Sequence, residues 1–189
     1  MPISDEPPSQ APDPVTEDSF AGPDGPAPSP AVAGPSCAWV RLQVRNTVLE
    51  FSDGAVVTLP IGVGDLARDV LRHDPPTSGE LERGIDLVED ALAAARLPKA
   101  DRGTLLSADT AVHALPGLEP SEALLDLAAL EALFQRLASR ALGTPVPDAE
   151  LPKGRELAAT LLVLRECMHH LGFSQIGVRA SSSGAPTPR

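Results

Sequence analysis

Proline and negative charge are partitioned along this 189-residue chain, and the partition decides which part can fold. Ten of the 21 prolines lie in residues 1–36, together with six acids and no Lys or Arg. The large apolar residues there are Ile3, Val15, Phe20 and Val32. A segment so composed cannot bury enough surface to offset its ordering entropy, so the sequence predicts a disordered, acidic, proline-rich tail. It has neither the basic start and apolar stretch of a secretory leader nor the Arg-rich, acid-poor cast of a transit peptide. Residues 180–189 read as a second disordered end. Between them, residues 37–179 are expected to form one mildly acidic α+β domain, large enough to bury a core.

Within that domain the hydrophobic period changes twice. Val40, Leu42 and Val44 alternate with Arg41, Gln43 and Arg45, the pattern of a half-buried strand. Thr47 to Phe51 and Ala55 to Leu59 read as two more strands, joined by a Ser52-Asp53-Gly54 turn. The expectation is a small antiparallel meander or hairpin, followed by about four helices and one or two short strands. The first helix is short, from Asp65 to about Arg72. Thr77 and Glu80 have capping-box spacing, and Leu81, Ile85, Val88 and Leu92 stripe a helix ending near Arg96. Thr104 to Ser107 suits a buried strand, and residues 107–117 a turn with one helical turn. A third long helix starts near Ser121 and closes at Gly143. The last runs from Lys153 or Gly154 to His170, with a narrow seam of Leu157, Leu161, Leu164, Met168 and Leu171 facing the third. Gly172 suits its left-handed cap. Ser174 to Val178 reads as a returning strand that Gly177 weakens.

Composition then removes function classes. No apolar run reaches the roughly 18 residues that span a bilayer, so no membrane role is expected. A net charge of −11 argues against a nucleic-acid partner. Two cysteines make no disulfide scaffold and suit a reducing cytoplasm. Two lysines against thirteen arginines give a bacterial cast.

The chemistry-bearing residues are sparse. Glu166 lies three and four residues before His169 and His170, so on a helix the three side chains can share a face. That makes Glu166, His169 and His170 the candidate metal ligands, with a surface Glu–His pair as the plainer reading. Asp109 and His113, four apart, suit an acid–base pair or simply an N-cap. Cys167 reads as a small hydrophobe beside the seam. Gly62-Val63-Gly64 between strand and helix resembles a phosphate loop, but Ala67 stands where the third glycine belongs. Glu82, Asp86, Glu89 and Asp90 band one helix, a solvated face that a basic surface or a divalent cation would also suit.

With no catalytic set in view, the expectation is a non-catalytic cytoplasmic accessory module that binds a protein partner and is open to homo-oligomerisation. The alternative is a metal-binding protein or enzyme using Glu166, His169 and His170. The third reading is a degenerate phosphate- or nucleotide-binding domain. No specific cofactor is implied.

Overall fold

In the computed structural model the described residues are 37–97, 102–118, 123–147 and 151–179. Both terminal segments expected to be disordered lie outside them. The alternation read at Val40 becomes β1 (Cys37–Leu42), whose Ala38 and Val40 are buried. It pairs antiparallel with β2 (Thr47–Phe51), and β2 pairs antiparallel with β3 (Val56–Leu59). The turn closes as its residues require: Gly54 takes φ +88° and the Asp53 carboxylate accepts from the Ala55 N–H at 2.9 Å.

The expected α+β architecture is the one observed, with a larger sheet. β4 (Gly103–Ser107), β5 (Leu124–Asp126) and β6 (Phe173–Val178) extend it to six strands in the order β3-β2-β1-β4-β6-β5. β4 runs parallel to both β1 and β6. β5 pairs antiparallel with β6, so Leu124 to Asp126 are strand and not helix. The helix expected from Ser121 therefore begins at Leu127, as α4 (Leu127–Ala141), N-capped by Asp126. Gly177, which weakened the β6 reading, is what lets the edge close. A Cβ there would lie 2.7 Å from Leu124 Cδ2 and 3.3 Å from Leu106 Cδ2.

After β3 comes a three-residue α1 (Val63–Asp65) that widens into a π-helical turn over Leu66–Val70. α2 (Ser78–Ala95) carries the expected capping box on Thr77 and Glu80. α3 (Thr110–His113) is one turn, and α5 (Arg155–Leu171) ends on Gly172 at φ +84°. α5 departs most from the expectation. In place of a narrow seam, Ala158 through Leu164 are all buried, as are Glu166, Cys167 and Met168. It packs against α2, α3, α4, the turn at Leu66–Val70 and β6. A helix surrounded in this way is buried all round, which the apolar run Ala158-Ala159-Thr160-Leu161-Leu162-Val163-Leu164 permits.

Candidate functional site

β1, β3, β4 and β6 point the same way, so their carboxyl ends share one edge of the sheet. α5 leads through Gly172 directly into β6. Its C-terminus is therefore at the opposite, amino edge, and its N-terminus at the carboxyl edge. The candidate residues fall into two groups, one at each edge.

At the carboxyl edge, Asp109 does not cap α3 with its side chain. Its carboxylate accepts from the Leu42 N–H at 2.6 Å and from Ser107 Oγ at 3.3 Å. It thus ties the end of β1 to the end of β4, a structural task that sequence spacing could not show. His113 follows it at this edge.

Gly62 and Gly64 are explained by close packing and not by phosphate. A Cβ on Gly62 would sit 2.4 Å from the Val44 carbonyl oxygen, and one on Gly64 2.7 Å from Val44 Cγ1. The N–H groups of Val63 and Asp65 donate to the carbonyls of Gln43 and Val44, at 3.0 and 2.9 Å. A phosphate cradle needs such groups free. Beside this loop lies an open cavity of about 370 Å³, lined by Gly64, Ala67, Arg68, Lys153, Gly154, Arg155 and Glu156. Gly154 has no side chain to cap the 17-residue α5, so no side-chain hydrogen bond satisfies its first N–H groups, and Gly154 to Glu156 line this cavity. Arg68 is engaged by Asp65 at 2.8 Å and Asp69 at 2.7 Å. Lys153 and Arg155 make no ion pair among the described residues. Sequence reading used Lys153 and Gly154 only as a helix start.

At the amino edge, the last turn of α5 brings Glu166 and His170 together, and α2 adds Glu89. The donor atoms of these three residues lie within 4.8 Å of one another. His170 Nε2 is 3.1 Å from Glu89 Oε1 and 3.5 Å from Glu166 Oε2. His169 is exposed, edge-on to the His170 ring at 5.3 Å, and is not among the clustered donors. Asp109 and His113 are at the other edge and do not join them. Glu89 belongs to the acidic band read on α2, but its partners are 77 and 81 positions away, beyond any local pattern.

Glu166 is 1 % exposed. Burial pushes its carboxyl up from the ordinary value, Arg165 pulls the other way, and nearby Glu89 adds to the rise. Arg165 binds Glu166 Oε1 and reaches Glu131 at 3.0 Å, with its guanidinium over the Phe134 ring. Burial opposes the Arg165 charge and the two carboxylates outweigh it. Cys167 is fully buried, and burial pushes its thiol up to about 12. It is the inert small hydrophobe expected, not a nucleophile.

No protein-family description matches the chain, and no curated protein matches it in sequence. Solved structures do share its fold. A PPX-GPPA enzyme of Aquifex aeolicus superposes with a TM-score of 0.58 at 18 % identity, over 77 % of this chain and 53 % of its own. An exopolyphosphatase-like protein gives 0.59 at 14 % identity, over 78 % and 56 %. An exopolyphosphatase from Cytophaga hutchinsonii gives 0.55 at 11 % identity, over 77 % and 53 %. The chain thus spans about half the length of these structures, and at such identities the likeness is one of fold. It corrects the expectation of a non-catalytic protein–protein interaction module, because the topology is one that enzymes of the Ppx/GppA type carry. No helix among the described residues is long and apolar enough to cross a membrane.

Proposed function

We propose that the chain is a phosphate-handling domain of the phosphatase type, taking a phosphate ester or phosphoanhydride at the carboxyl edge of its sheet. The observation that carries this reading is the fold held in common with the Aquifex aeolicus Ppx/GppA phosphatase and the Cytophaga hutchinsonii exopolyphosphatase. In open sheets with parallel strands, ligands sit outside the carboxyl ends of the strands. The cavity of Lys153, Gly154 and Arg155 lies at that edge. In this reading Lys153 and Arg155 offset the phosphate charge, and the uncapped N–H groups of α5 hydrogen-bond its oxygens. Asp109 keeps the ends of β1 and β4 in register beside them. The free state of Cys37 and Cys167 supports a cytoplasmic setting.

The test uses the tag-free full chain with polyphosphate and with p-nitrophenyl phosphate. Ligand binding is measured by calorimetry and phosphate release by a colorimetric assay. Release that falls at least about tenfold in a Lys153→Ala, Arg155→Ala double variant supports the reading. Binding without release removes its hydrolytic half. Neither binding nor release overturns it.

A further inference from the structure

The amino-edge cluster is a second site, independent of the phosphate reading. We propose that Glu89, Glu166 and His170 bind one divalent transition-metal ion, of the zinc or manganese class, that clamps α2 to the last turn of α5.

The geometry is that of a ligand set. Carboxylate oxygens and imidazole nitrogens bind such ions at about 2.0–2.2 Å, which holds neighbouring donors about 3–3.5 Å apart. His170 Nε2 already stands 3.1 Å from Glu89 Oε1 and 3.5 Å from Glu166 Oε2. The most buried member is Glu166, on a buried stretch of helix. Its Oε1 is held by Arg165, and its Oε2 faces His170 Nε2 at 3.5 Å, toward Glu89.

The charges around the cluster ask for a cation. Glu89, Asp90 and Glu166 stand here, and Glu131 is on the far side of Arg165. Against them stand Arg165 and the two imidazoles of His169 and His170. Arg165 is shared between two carboxylates, and the C-terminal carbonyls of α5 add partial negative charge. The ion would enter from solvent. His170 and Glu89 are 38 % and 46 % exposed and, with Asp90, Leu92, Ala93, Leu97 and Leu171, line an open cavity of about 370 Å³. One imidazole with two carboxylates favours zinc or manganese over calcium or magnesium, which prefer oxygen alone. The rival arrangement is a protonated His170 bridging the two carboxylates with no metal bound.

Equilibrium dialysis of the tag-free full chain against Zn²⁺ and, separately, Mn²⁺, read by elemental analysis, decides between them. The proposal expects one equivalent retained. Glu89→Gln and His170→Ala each weaken binding about tenfold or more, and His169→Ala leaves it unchanged. Both weakening changes are at exposed positions, so they test the ligands without emptying the buried Glu166 position. A thermal melt gives the independent readout: saturating metal raises the melting temperature of the native chain and not of His170→Ala. Retention of no metal overturns the proposal. So does retention that survives His170→Ala, or that is lost in His169→Ala instead.

Discussion

The strongest test of the electrostatic reasoning is Glu80→Gln. The Glu80 carboxylate closes the α2 capping box from Thr77 and also gathers the preceding connection. It accepts from the N–H groups of Thr77 at 2.9 Å and Arg72 at 3.0 Å, and it pairs with His73 Nδ1 at 2.8 Å. Burial alone would raise its pKa, but these hydrogen bonds and the His73 charge outweigh burial and hold the group at about 2, against 4.5 for a free glutamate. Taken whole, that shift corresponds to about 3 kcal/mol favouring the charged form. Partial solvent screening and the ordinary worth of a helix cap reduce it to about 1–2 kcal/mol. Gln keeps the shape and one acceptor but loses the charge. Since the folded pKa is depressed, the contribution is complete above about pH 4.5 and fades as pH falls toward 2; by about pH 3 more than half is gone. Urea unfolding at pH 7 should show the variant weaker by about 1–2 kcal/mol, equivalent to roughly 3–6 °C in melting temperature. The gap should narrow steadily as the pH is lowered to 3. A gap equally wide at both pH values, or none at pH 7, would refute the charge argument.

Two further outcomes follow from packing. Gly62→Ala drives a methyl group into the Val44 and Arg45 backbone and should destabilise by about 3 kcal/mol, whereas Gly79→Ala, in the first turn of α2 with nothing within 4 Å, should stabilise by about 0.5–1 kcal/mol; chemical denaturation of both variants checks the pair. Thiol titration with a disulfide reagent should modify half-buried Cys37 in the native chain, and buried Cys167 only after unfolding.

How far the sequence could be read depended on how local each signal was. The Asp53-Gly54 turn, the Thr77–Glu80 box and the Gly172 cap are contacts within a few residues, and each was visible as spacing. β5 was not, since Leu124 to Asp126 carry a helical pattern and become strand only by pairing with β6, some fifty residues on. The burial of α5 on every side likewise depends on which helices surround it. The same division runs through the candidate sites. Glu166 and His170 share a helical turn, so their meeting was legible. Glu89 reaches them only because α2 packs across α5. Asp109 looked like a cap because caps are local, yet its carboxylate bonds Leu42, 67 residues away. Gly62-Val63-Gly64 looked like a phosphate loop because glycine spacing shows where backbone comes close, but not what it comes close to; here it is the β1–β2 connection.

The most direct test of the central claim is a ¹⁵N–¹H correlation spectrum of the full chain titrated with pyrophosphate. The phosphate reading predicts saturable shifts confined to the amides of Lys153 to Leu157 and Gly64 to Arg68, at the carboxyl edge of the sheet. Saturable shifts centred elsewhere, or no shifts at millimolar ligand, would contradict it.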